Sequence, residues 1–241
     1  MTHDEVLSLL FPGGHAVKPG PAGTIDGSGK VKAVGDVTVI GIVGGTPLSV
    51  DAAIHLADCV LSTVRDGGKR PIIIVVDTAS QNMARRDELL GLNEFLAHLA
   101  KSLALASRQG HRTVSVLYGH AAAGAFIVTS LASQTLIALP GAEPSVMDLP
   151  SISRVTKLPM DELMELAKTT PIFAPGVDPL YAIGAVSEKW AADNTLADRL
   201  AAILTQPEDE KDERDALGLQ RKGCLMARKI AERVREEATG A

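Results

Sequence analysis

The sequence predicts an α/β protein in which strands and helices alternate along the chain. Three observations carry this. Four short apolar runs, residues 37–43, 71–76, 113–118 and 135–139, are bounded by glycine, proline or polar residues as strands are. The stretches between them repeat apolar residues at helical spacing. The runs are apolar on both faces, which suits a sheet covered by helices on both sides.

From residue 11 to residue 36, Gly13, Gly14, Gly20, Gly23, Gly27, Gly29 and Gly35, with Pro12, Pro19 and Pro21, read as an irregular lead-in in which no helix persists. Gly44, Gly45, Thr46 and Pro47 end the first strand, and Ser49 caps a helix whose apolar positions are Val50, Ile54, Ala57, Leu61 and Val64. Gly67 and Gly68 stop it. The second strand enters a polar loop, residues 77–86, followed by a long helix from about 87 to 107 with the face Leu89, Leu92, Leu96, Leu99 and Leu103, closed by Gly110. The third strand delivers a small-residue turn, residues 119–125, into a helix reaching Ser133, and the fourth strand precedes Pro140.

Beyond it, Pro159 with Asp161 and Glu162 marks a helix through Lys168, and Pro171, Pro175 and Pro179 read as irregular backbone. Ala185 and Val186 form a short strand leading to Trp190, and residues 195–204 form a helix. Residues 206–214 read as a charged, solvated linker before a C-terminal helix over 220–237. The expected organisation is thus a lead-in over 1–36, one domain over 37–205, and a linker and helix over 206–241.

Composition excludes several partners. The 241 residues carry a net charge of -5 and only 4 Phe, 2 Tyr and 1 Trp, which supply neither a basic track for phosphates nor stacking platforms for bases. No nucleic acid is expected. The longest unbroken aliphatic run, 72–76, falls far short of the roughly 20 residues a membrane helix needs. Asp4 and Glu5 stand where a secretory signal carries lysines. Two cysteines, Cys59 and Cys224, are too few for a disulfide framework or a cysteine zinc site, and no metal site is expected. These features lead us to expect a reduced, cytoplasmic protein with both cysteines as ordinary helix residues.

Chemistry is most legible at residues 119–125. A strand ending in small residues at the start of a helix leaves free backbone N–H groups pointing outward, and the helix dipole adds positive potential. Ala121, Ala122, Ala123, Gly124 and Ala125 would let a carbonyl oxygen approach those groups. Close helix–strand packing would use the same residues. His55 and Asp58 share a helix face but lack a third ligand for a metal.

The loop Asp77-Thr78-Ala79-Ser80-Gln81 after one strand, and Gly119-His120-Ala121-Ala122-Ala123-Gly124-Ala125-Phe126 after the next, resemble the crotonase superfamily. Residues 145–152, 154–159 and 171–177 more closely resemble the gamma subunits of biotin-independent malonate decarboxylase, relatives of the alpha half of the acetyl-CoA carboxylase carboxyltransferase. The resemblance implies a crotonase-like fold of stacked ββα units. It also implies two backbone N–H groups that hold an acyl-thioester enolate.

By position the second of these donors falls on Gly124, with Ala125 adjacent, and the first falls within residues 78–81, at Thr78 or Ala79. His120, Gln81, Arg85 and Arg86 are the expected substrate-binding residues. His120 either serves the carbanion or faces a partner, and the two arginines either meet the phosphates of a carrier arm or form a solvated loop.

The superfamily's hydratases place a carboxylate where this chain has Ile127, and its peptidases need a serine that Ala121, Ala122 and Ala123 do not supply. What remains is chemistry that needs an oxyanion hole and little else, and the resemblance implies loss of carbon dioxide from a malonyl group carried on the phosphopantetheine-type arm of an acyl carrier subunit. A homologous beta subunit is the implied partner. Biotin is not implied on this chain, since none of Met1, Met83, Met147, Met160, Met164 and Met226 is followed by lysine. Two rival readings are an alpha-type subunit of a biotin-dependent carboxyltransferase and a scaffold that only completes its partner's site.

Overall fold

A computed structural model describes residues 1–169, 174–206, 212–223 and 225–240. Helix α1 (His3–Leu10) comes first, then strands β1 (Lys18–Pro19), β2 (Thr24–Val31) and β3 (Gly35–Ile42), helix α2 (Val50–Arg65) and strand β4 (Ile72–Val76). Helices α3 (Arg85–Leu90) and α4 (Leu92–Arg108), strands β5 (Thr113–Leu117) and β6 (His120–Ala122), and helix α5 (Ala123–Phe126) follow, with a π-helical turn at Ile127–Leu131. Strands β7 (Thr135–Ala138) and β8 (Glu143–Ser145), helices α6 (Leu149–Thr156), α7 (Met160–Thr169) and α8 (Val177–Ala182), strand β9 (Glu188–Lys189), and helices α9 (Leu196–Thr205), α10 (Arg214–Gln220) and α11 (Leu225–Thr239) complete the chain.

The main sheet runs β1-β2-β3-β4-β5-β7-β9, parallel from β3 onward, and β6 and β8 form a second, two-stranded parallel layer. Every residue of β4 is buried because alternate side chains enter opposite cores. Ile72, Ile74 and Val76 join α2 and α4 on one side. Ile73 and Val75 join α1 and α9 on the other.

The glycine-rich lead-in is not irregular. Thr2 and Glu5 form a capping box on α1, a Thr-x-x-Glu signal present in the sequence. Residues 24–31 pair with β3 as an antiparallel hairpin. Their glycines mark close approaches rather than breaks: a Cβ on Gly29 would lie 2.6 Å from the Phe11 ring, and one on Gly27 would lie 2.2 Å from the Ala16 carbonyl. Val6, Leu7, Leu10 and Phe11 therefore belong to the same core as β3.

Other elements differ in detail. The long helix is broken at Gly91, whose φ of +79° ends α3, and this turns Leu89 outward at 75% exposure. The buried stripe of α2 is Ala52, Ala53, Leu56, Ala57 and Val60, while Ile54 is 43% exposed. The last strand lies at 188–189 rather than 185–186. Helices α6 and α8 and strand β8 fall where irregular backbone or no element was expected.

Pro171, Cys224 and much of the 206–214 run lie outside the described residues. The end of that run is docked: Arg214 donates to the Leu131 carbonyl, and Arg221 donates to the carbonyls of Tyr181, Val186 and Ser187 while covering the Tyr181 ring. No helix among the described residues is long and apolar enough to cross a membrane.

Candidate active site

The carboxyl ends of β4 and β5 carry the loops that form the site. Asp77, the first residue beyond β4, accepts from the Gly45 N–H at 3.1 Å through one carboxylate oxygen and from the His120 N–H at 3.0 Å through the other. One side chain thus ties the loop after β3 to the loop after β5. Gly119 is a glycine because a Cβ there would lie 2.2 Å from the Asp77 Oδ1. Burial and the Asp77 charge push the neighbouring Tyr118 phenol well above its usual range, so it stays protonated.

Thr78 is not a donor to a ligand. Its N–H donates to the His120 carbonyl at 2.7 Å, its hydroxyl donates to the Thr46 carbonyl at 2.6 Å, and it is fully buried. An amide that closes the joint between two strand ends has no hydrogen left to offer. Ala79 is exposed and lines a cleft of about 630 Å³ shared with Gly45, His120, Ala122, Ser145 and Gly176. Among the described residues nothing accepts from the Ala79 N–H.

Directly after Ala122 of the cleft lining, Ala123 opens α5 with a φ of +50°, a left-handed conformation that costs an alanine about 1–2 kcal/mol. Strain of that kind concentrates at functional turns. The next residue, Gly124, directs its N–H away from the helix, where it donates to the Gln81 side-chain oxygen at 2.9 Å. Gln81 is held in place by its own loop, since Leu48 donates to the Ser80 carbonyl and accepts from the Asn82 N–H, both at 2.8 Å. A carboxamide oxygen therefore occupies the Gly124 N–H. Ala125 is buried behind it and its carbonyl accepts from Thr129.

The remaining expected residues are placed unevenly. His120 lines the cleft and pairs with Glu143 at 3.2 Å, both side chains about two-thirds exposed. Arg86 makes a two-pronged pair with Asp51 on α2 at 2.7 and 3.1 Å. Arg85 is exposed at the start of α3, and neither arginine lines the cleft. Ile127 is 44% exposed just beyond the turn. Asp77 and Glu143 were not singled out from the sequence. An acid directly after a buried parallel strand was the available signal, because ligands of such sheets bind beyond the strands' carboxyl ends.

Comparison with known proteins places this arrangement. The sequence model of the malonate decarboxylase gamma subunit matches residues 44–238. The malonyl-S-ACP:biotin-protein carboxyltransferase MADD of Malonomonas rubra is 37% identical over 123 residues, which are 50% of this chain and 42% of that relative. The chain thus spans less than half the length of that curated relative.

Among solved structures, a Pseudomonas malonate decarboxylase hetero-tetramer in complex with coenzyme A aligns at a TM-score of 0.76 and 24% identity, covering 98% of this chain and 97% of that one. The Pseudomonas MdcD-MdcE hetero-dimer aligns at 0.74 and 23%, covering 97% and 98%. The transcarboxylase 12S core with hydrolysed methylmalonyl-coenzyme A aligns at 0.66 and 16%, covering 86% of this chain and 42% of that one.

The fold is of the crotonase-like class that it shares with those malonate decarboxylase and transcarboxylase chains. Within that class, the match over residues 44–238 shows that the chain belongs to the malonate decarboxylase gamma subunit family.

Proposed function

We propose that this chain acts in the decarboxylation of a malonyl thioester, carried on the phosphopantetheine-type arm of an acyl carrier subunit, to the acetyl thioester. The observation that carries the reading is the amide oxygen of Gln81 seated on the Gly124 N–H. A carbonyl-type oxygen on this N–H supports a thioester oxygen taking the same place. As the carboxylate leaves as carbon dioxide, the electron pair of the broken C–C bond moves into the thioester, and negative charge grows on its oxygen. A preorganised N–H at that oxygen stabilises the transition state more than the substrate. Gly124 supplies one such group and Ala79 the other, while protonation of the enolate carbon completes the acetyl group. His120 and Glu143 stand at the cleft wall to meet the carboxylate end or the carrier arm.

The assembly proposed is with a homologous beta subunit. Val146, Met147, Val155, Met160 and Met164, on β8's exit and on α6 and α7, are exposed apolar side chains beside the cleft wall formed by Pro144 and Ser145. Such a surface is usually covered by a partner. The test is decarboxylation of malonyl-carrier thioester by this chain alone, by the beta chain alone and by the assembled pair: activity only in the pair supports the reading, and full activity of the beta chain alone overturns it.

A second reading is favoured by the similarity to the Malonomonas rubra carboxyltransferase. The same bond breaks and the same enolate forms, but the carboxyl group passes to biotin on another protein. Carboxylation of a supplied biotin protein, with no loss of carbon dioxide to solution, would select it.

A further inference from the structure

Helix α2 and strand β2 bring three unlike donor atoms together away from the cleft. His55 Nε2 lies 3.1 Å from an Asp26 carboxylate oxygen and 3.8 Å from the Cys59 sulfur. All three ligand atoms lie within 4.8 Å of one another, and each residue is partly buried. We propose that Asp26, His55 and Cys59 form a binding site for a divalent transition metal of the zinc class, with water or a second molecule's donor as fourth ligand.

Geometry supports the set. Zinc bonds of about 2.0–2.3 Å at tetrahedral angles put neighbouring ligand atoms roughly 3.3–3.6 Å apart, so the two spacings at His55 need adjustments of only a few tenths of an ångström, and the Asp26–Cys59 spacing, within 4.8 Å, closes by at most about 1.2–1.5 Å through side-chain rotation. His55 and Cys59 stand four residues apart on one helix face, and Asp26 reaches them from the hairpin beside it. One carboxylate, one imidazole and one sulfur are the ligands a borderline-soft ion takes.

The backbone also makes room. A Cβ on Gly20 would lie 2.9 Å from His55 Nε2 and 3.2 Å from the Asp26 oxygen, so only glycine lets the β1 segment pass this close. His55 also borders a hollow of about 410 Å³ shared with Asp58 and His98, which admits solvent to the imidazole. Lys18, 4.0 Å from the other Asp26 oxygen and largely exposed, can swing away. Asp58, which shares a helix face with His55, pairs with Arg65 instead. The third ligand that the helix alone could not supply comes from β2.

The test uses the full chain with Cys224→Ser as background, titrated with Zn(II) by calorimetry and with Co(II) by absorption. The expected result is one metal per chain and a thiolate-to-cobalt charge-transfer band. Cys59→Ser should abolish the band, and Cys59→Ser and His55→Ala should each weaken Zn(II) by at least the roughly 10–100-fold that loss of a supporting group costs. Metal affinity unchanged in folded Cys59→Ser, or Co(II) bound without a thiolate band, overturns the proposal. Should a variant fail to fold, the Co(II) spectrum of the unsubstituted ligand set decides alone, since a plain Asp26–His55 ion pair produces no such band.

Discussion

Replacing Gln81 by alanine removes the oxygen that occupies the Gly124 donor and leaves the donor's backbone in place. The bond is between neutral groups at 2.9 Å in a partly buried setting, so its net worth is about 0.5–1.5 kcal/mol. A substrate oxygen that needs this N–H must first displace the carboxamide, and the displacement raises the apparent KM by the corresponding factor, about 2- to 12-fold at 1.4 kcal/mol per decade. In the complex assembled with the beta chain, Gln81→Ala should therefore lower KM for the malonyl thioester by about 2- to 12-fold with kcat nearly unchanged. Its melting should show a loss of about 0.5–1.5 kcal/mol. Steady-state release of carbon dioxide measures the first, and denaturant unfolding the second. A stability loss with KM unmoved would mean that the substrate oxygen never visits Gly124. A fall in kcat by orders of magnitude would mean that Gln81 serves the transition state rather than holding its place. Either outcome refutes the argument.

A Cβ on Gly124 would lie 3.1 Å from Leu96 and 3.2 Å from the Gln81 oxygen, so Gly124→Val should expel Gln81, crowd the donor and lower turnover by about 10²–10³. Ile127→Val, at a half-exposed position, should change stability by less than about 0.5 kcal/mol and leave turnover intact. Gly119→Ala meets Asp77 at 2.2 Å and should cost about 1–3 kcal/mol in chemical denaturation, with partial rescue in the Asp77→Ala background. Asp148 caps α6 by accepting from the Ser151 N–H at 2.8 Å, and hydrogen bonding from the Ser151 side chain first and from its N–H second holds the carboxyl below its ordinary 3.8. The cap therefore contributes in full above pH 4 and is lost as the pH falls past 3.8 through the lowered value. Asp148→Ala should remove about 0.5–2 kcal/mol at pH 7 and little at the acid end, read from pH-dependent melts.

Much of this protein follows from its sequence. Continuous apolar runs such as 72–76 can only be strands covered on both faces, and Ser49 before Val50 or Pro159 before Met160 mark helix starts by local chemistry alone. The small-residue turn into α5 was legible as a strand-to-helix junction by the same local chemistry. Other features needed the tertiary structure because they are set by contacts between distant residues. Gly27 and Gly29 look like chain breakers until Phe11 and the Ala16 carbonyl are seen against them. Thr78 loses its donors to His120 and Thr46, which lie 42 and 32 positions away along the chain. Asp77 gains a role only when two loops converge on its two oxygens. The third donor beside His55 and Cys59 lies on a different element, Asp26 of β2. Whether an N–H is free or spent depends on which acceptor the fold brings within 3 Å. Helical and strand periodicities report which face of an element is buried and carry no record of that pairing.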